Sequence, residues 1–422
     1  MRSIAVCLVS FCILISLGCG GGGRSGIFST QSPNTPSGGQ SGSASSNNPP
    51  ASNNTPGTTP PTSFTAGITH VAGNYGFTQE NYLVEGAQKI SQLGSNSIFV
   101  YLTPEFRTQY PDQTSQSWPS SDPADLTGLA QTTPFANVLS SNFKTIVLTT
   151  YTFANHDQVH GMASCQSCLS AEENEFYNLT KYLYSKYAGS GKTFILKNWE
   201  GDWIGLGGQG INLTSNISDS MVQDMIAWLS ARQHGVTRAR NEVGSSAGMQ
   251  VLNAAEVNRV LDYAQHGLTR VINAVVPNVN ADMVTYSSYD STVVGSDAQT
   301  VQQALTLALQ TIEKLAPDPL GFGPRRILIS EYGLFENQQL NDATWRTQAV
   351  LDTASNAGIY GAFLWELFDN TCTQPNGQPS PVDATTGSPM RPKNGQCRGV
   401  WVVRPDGSTS AALNVLQQYW NP

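Results

Sequence analysis

The chain has 422 residues, a formal net charge of −8 and only 12% charged residues. No Lys/Arg cluster offers nucleic acid a basic footprint, so nucleic acid is excluded as a partner. The length is ample for a buried core without a metal or disulfide needed merely to fold, and a weakly charged surface suits neutral polar ligands.

Taken in chain order, the first element is an address. Arg2 precedes an almost unbroken apolar run from Ile4 to Leu17. That run is too short to span a bilayer comfortably and sits where a signal peptide sits. The segment Ser16-Leu17-Gly18-Cys19 resembles the bacterial lipoprotein cleavage box, with Ser16 where that box usually has Leu. Residues 1–19 are therefore expected to be a signal peptide. Acylated Cys19 would tether an exported, cell-envelope protein to the membrane through buried lipid chains; plain secretion is the alternative. Residues 20–65 are Gly, Ser, Pro, Asn and Thr with little apolar content, a low-complexity linker expected to remain disordered.

From 66 to 422 the pattern changes. Short apolar runs occur at Gly67–Ala72, Ser97–Leu102, Thr145–Tyr151, Thr193–Trp199, Met249–Ala254, Asp282–Tyr289, Arg326–Ser330 and Gly361–Trp365. Amphipathic stretches fall among them: Tyr82–Leu93, Glu172–Tyr187, Ser218–His234, Val257–Val275, Asp297–Leu315 and Ala343–Ala357, with a closing helix over Ser410–Trp420. Continuous apolar strands alternating with helices predict a parallel sheet covered by helices. Repetition of the unit through eight strands predicts closure into a single-domain (β/α)8 TIM barrel, with an open doubly wound sheet as the competitor. Long segments at 103–140, 152–171 and 370–400 follow strands two, three and eight, on the face where barrels build their sites. Of the seven cysteines, Cys165, Cys168, Cys372 and Cys397 lie in this body. In an oxidising compartment they are expected to pair as Cys165–Cys168 and Cys372–Cys397.

Several strand ends carry unusual polar groups. Strand four runs into Asn198-Trp199-Glu200-Gly201-Asp202-Trp203, strand six ends at Tyr289-Asp290, strand seven ends Ser330-Glu331-Tyr332-Gly333, and strand eight ends Trp365-Glu366. A carboxylate at the end of an apolar strand needs partners or a chemical role. Glycoside hydrolysis supplies such a role, since it needs one carboxylic acid and one carboxylate on either side of a sugar. Strands four and seven lie roughly across an eight-stranded barrel, so Glu200 and Glu331 are expected to converge.

On these residues the chain resembles clan A of the glycoside hydrolases, the retaining barrel enzymes that include β-mannanases, endoglucanases and β-galactosidases. The resemblance implies Glu200 as acid/base, Glu331 as nucleophile, Tyr289 touching the nucleophile and Trp365 flooring the sugar site. It implies retaining cleavage of a β-linked oligo- or polysaccharide. Asn198 stands two residues before Glu200 rather than one; on an ideal strand the two share a face, and the usual Asn contact to the sugar is then altered. Trp203 and Glu256 are further candidate sugar contacts, with Asp202 a rival acid and Glu366 read as packing or an ion pair. The chemistry calls for no metal, organic cofactor or obligate protein partner.

The rival from another class is a non-catalytic carbohydrate-binding lipoprotein on the same scaffold; an inverting enzyme or transglycosylase is a third reading. Two motifs are decoys. Gly189-Ser-Gly-Lys192-Thr193 lacks the first glycine of a phosphate loop and precedes a strand instead of following one. His156, His160, Cys165 and Cys168 have zinc-like spacing, but an exported CxxC pair is expected to be oxidised.

Overall fold

The structure, a computed structural model, describes residues 63–112, 116–210, 213–243, 248–374, 377–378 and 391–420. The export signal, Cys19 and all of the tether except its last residues lie outside them, as do residues 375–376 and 379–390 of the segment after the eighth strand.

Eight strands form: β1 (Thr65–Thr69), β2 (Ser97–Leu102), β3 (Thr145–Thr150), β4 (Thr193–Lys197), β5 (Gln250–Val257), β6 (Met283–Ser287), β7 (Ile327–Tyr332) and β8 (Gly361–Leu364). They close into a barrel in chain order, every pair parallel, with Thr65 beside Gly361 at the seam. Covered on both faces, the strands are buried almost throughout and mostly apolar, as a sheet wrapped in helices requires. The expected (β/α)8 barrel is the fold.

The helices after successive strands are α1 (Tyr82–Leu93), α2 (Thr133–Ser140), α3 (Gln166–Lys186), α4 (Asp219–Val243), α5 (Val260–His266), α6 (Ala298–Leu315), α7 (Ala343–Asn356) and α8 (Ala412–Trp420). Asn81 accepts from the Leu83 N–H at the start of α1, and Asp297 from the Thr300 N–H at the start of α6, satisfying donors that a helix leaves unpaired. Between α3 and α4 the buried Arg232 guanidinium lies 3.6 Å from Glu172, while Trp228 and Thr152 donate to the same carboxylate. Among the described residues no helix is long and apolar enough to cross a membrane.

Two expectations need correction. The stretch Val257–Val275 is not one helix: β5 runs to Val257, α5 covers Val260–His266, and a short π-helical turn covers Val271–Val275. The Asn258 and Arg259 N–H groups donate to Asp202, which holds the chain in a turn where the apolar spacing suggests a helix. And β4 ends at Lys197 rather than Trp199, so strand alternation does not govern Asn198 and Glu200.

Both expected disulfides are present, Cys165–Cys168 at the start of α3 and Cys372–Cys397 across the segment after β8. Sulfurs joined in this way have no thiolate to offer a metal, and His156 faces Glu105 at 3.2 Å. Lys192 of the phosphate-loop decoy donates to the carbonyls of Ser141 and Phe143.

Candidate active site

β4 delivers Lys197, and the chain then leaves the sheet through Asn198-Trp199-Glu200. Glu200 has φ of +21°, a region that side chains other than glycine rarely adopt. The next residue has to be glycine, because a Cβ on Gly201 would stand 2.5 Å from the Glu256 carbonyl oxygen. Asp202 then accepts from the N–H groups of Asn258, Arg259 and Val271 at 2.9, 3.0 and 2.7 Å. Both oxygens of its carboxylate are thus taken up by backbone donors that pin the turn.

β7 delivers Ser330 and Glu331. Ordinarily adjacent strand residues face opposite ways. Here the pairing of β7 slips against both neighbours, at Tyr286/Ser287 and at Ile329/Tyr332. Such an irregularity re-aims side chains, and Ser330 and Glu331 both reach groups inside the barrel. Ser330 donates to Glu256; Glu331 turns to Ser287 and Lys197. Gly333 is required for a similar reason to Gly201, since a Cβ there would stand 2.6 Å from the Trp365 carbonyl oxygen.

Glu200 and Glu331 meet at one hydroxyl. Ser287 Oγ lies 2.6 Å from Glu200 Oε1 and 3.3 Å from Glu331 Oε2. Those two carboxylate oxygens are therefore within about 6 Å of each other, below the ~6.5 Å at which inverting pairs begin. Glu200 is 1% exposed and Glu331 0%. Burial pushes the Glu200 carboxyl up to about 8, and burial likewise holds Glu331 well above the ordinary carboxyl range. The Glu200 charge also raises Glu331, and Glu256 raises Glu200, while Lys197 is the strongest influence favouring the charged form of Glu331.

The residues singled out in the sequence fall into two groups. Tyr289 opens a short helical turn beyond β6, and the carboxylates of Glu331 and Glu200 add to burial in holding its phenol far above its usual range. Trp365, directly after β8, stands edge-on to Tyr101 at 6.4 Å, and Tyr101 stacks on Phe99 at 5.5 Å. The second group is tied into the barrel wall. Asn198 accepts from the Glu256 N–H at 3.0 Å and donates to the Trp199 carbonyl. Trp203 has the Arg259 guanidinium 5.6 Å from its ring. Glu256 is held by Lys197, by the Glu200 N–H at 2.7 Å and by Ser330, which makes it an ion-pair partner in the barrel interior. Glu366 is fully buried with its carboxyl held well above the usual range by burial and by Asp369.

Lys197 and Ser287 are the additions to the sequence reading. A lysine ending the apolar run Thr-Phe-Ile-Leu-Lys was a legible signal, because a charge in a buried strand requires a counter-charge.

No protein-family model matches the chain, and no curated protein matches it. Solved structures do resemble it. A GH5-4 broad-specificity endoglucanase from Ruminococcus champanellensis with bound cellotriose is similar over 85% of this chain and 96% of its own, with 13% identity and a TM-score of 0.50. The barrel is the fold of that glycoside hydrolase. A counterpart from Bacteroides salanitronis matches over 85% and 92%, with 13% identity and a TM-score of 0.47. A GH5 xyloglucan-specific endo-β-1,4-glucanase from a metagenomic library matches over 80% and 94%, with 12% identity and a TM-score of 0.45.

Proposed function

We propose that the chain is a retaining glycoside hydrolase acting on a β-linked oligo- or polysaccharide. The observation that carries this reading is the approach of Glu200 and Glu331 to a shared Ser287 hydroxyl. One hydroxyl has one proton to give. Its position between two carboxyls suits a protonated Glu200 on one side and an ionised Glu331 on the other. Two such groups titrate as a pair, and the nearby Lys197 ammonium favours the charge on Glu331.

In the first step a Glu331 oxygen attacks the anomeric carbon. The bond to the leaving oxygen breaks, and Glu200 gives that oxygen its proton. In the second step Glu200, now a carboxylate, takes a proton from water. The hydroxide so formed displaces Glu331 from the sugar, and both carboxyls return to their starting states. Tyr289 borders the nucleophile, and Trp365 offers a flat face at the end of β8. The proposal includes export and a lipid anchor on Cys19, supported by the apolar run Ile4–Leu17 and the small residues before that cysteine.

The test is release of reducing sugar by the full chain from a panel of β-glucans, xyloglucan, mannans and xylans. At least one should be cut. Glu331→Gln should fall to background, and Glu200→Gln should lose about 10²–10⁴-fold on glycans. The loss in Glu200→Gln should be smaller on aryl glycosides whose leaving group needs no proton. Wild-type turnover by Glu331→Gln would reject the reading.

A further inference from the structure

Lys197 is a buried cation with two carboxylates in reach. Its Nζ donates to both oxygens of Glu256, at 2.7 and 2.6 Å, and lies 3.8 Å from Glu331 Oε1. It stands 4.6 Å from the centre of the Phe99 ring, and neither Lys197 nor Glu256 has any side-chain exposure. Glu256 in turn takes the backbone N–H of Glu200 and the hydroxyl of Ser330, the residue before Glu331. The pair thus touches the backbone of one candidate catalytic residue, the chain neighbour of the other, and the latter's own carboxyl. A pair that served only to hold strands together would not need to stand between the reacting groups.

We infer that Lys197 and Glu256 are positioning residues for the reaction: Lys197 draws the negative charge of the Glu200–Glu331 pair onto Glu331, and Glu256, by holding Lys197, limits that pull so that Glu200 keeps its proton. This rests on the hydrolase reading. Glu331 is faced by Lys197 from β4, Glu200 beyond it, Glu256 from β5, Tyr101 from β2, Tyr289 after β6 and Glu366 after β8. Lys197 is the cation of that set. Removing it takes away attraction and raises the pH at which Glu331 ionises. Removing Glu256 takes away repulsion and leaves Lys197 turned to Glu331, so ionisation occurs at lower pH.

The experiment compares Lys197→Met, Glu256→Gln and Glu331→Gln with the unaltered full chain. The readout is the pH profile of kcat/KM on 4-nitrophenyl β-cellobioside. The acidic limb reports ionisation of the nucleophile. It should move up by about 1–3 pH units in Lys197→Met and down in Glu256→Gln. Shifts of opposite sign are what a purely structural role does not produce; limbs that stay in place, or move the same way, would overturn the inference. Glu331→Gln separates the two ideas: if it is inactive while the limbs stay put, only the positioning role falls. If it retains wild-type turnover, the hydrolase reading falls with it. Breaking a buried pair also destabilises the fold, so a second measurement uses the unaltered chain. Carbon-13 NMR of δ-labelled glutamates should show the first ionisation of the Glu200–Glu331 pair falling on Glu331. A first ionisation falling on Glu200 would overturn the inference even for a chain inactive on the aryl glycoside.

Discussion

Glu200 joins three unusual conditions: a backbone at φ +21°, complete burial, and a carboxyl pushed from its ordinary 4.5 up to about 8. The last has a consequence for stability. A carboxyl whose proton is held more tightly in the folded state contributes stability that is fully present below its unfolded value and is lost as pH rises through the folded one. The melting temperature should therefore fall between pH 4.5 and about 8, and Glu200→Gln, which cannot ionise, should fall less steeply over that window. A melting series in matched buffers checks this; equal slopes would contradict it. At this scale the sequence was informative where chemistry is costly. Glu200 and Glu331 stood out because a carboxylate at the end of an apolar strand has to be explained. Ser287 did not stand out, since a small neutral side chain between Tyr286 and Ser288 carries no such cost. Its role arises from the slipped pairing at Tyr286/Ser287, which no spacing in the sequence announces.

Among the elements, the eight strands were legible as apolar runs because both faces of each are covered. Their ends were less so. β5 extends to Val257 and brings Glu256 inside the barrel, whereas β4 stops at Lys197 and releases Glu200 into a turn. Both boundaries depend on contacts between distant segments, notably Asp202 with the N–H groups of Asn258, Arg259 and Val271. The cysteine pairs were readable from proximity in the chain, but their surroundings differ. Cys372 and Cys397 are 1% and 7% exposed, while Cys165 and Cys168 are half-buried at the start of α3. Access governs thiol–disulfide exchange. Mild dithiothreitol on the folded chain should open Cys165–Cys168 first, as read by differential alkylation and mass spectrometry. Prior opening of Cys372–Cys397 would contradict this account.

For the whole molecule, the number of strand–helix units suggested a barrel, and the pairing of β1 with β8 completes it. Closure is what gives the two glutamates a common interior. An open sheet of the same elements would leave β4 and β7 without the shared space in which Ser287 reaches both. The central claim is that Glu331 attacks the sugar while Glu200 protonates the leaving oxygen. Two successive inversions at one carbon give net retention. The most direct measurement is proton NMR of the anomeric signals during the first minutes of cleavage of a β-linked substrate. The account predicts that the β-anomer accumulates first and only later mutarotates; initial accumulation of the α-anomer would contradict it.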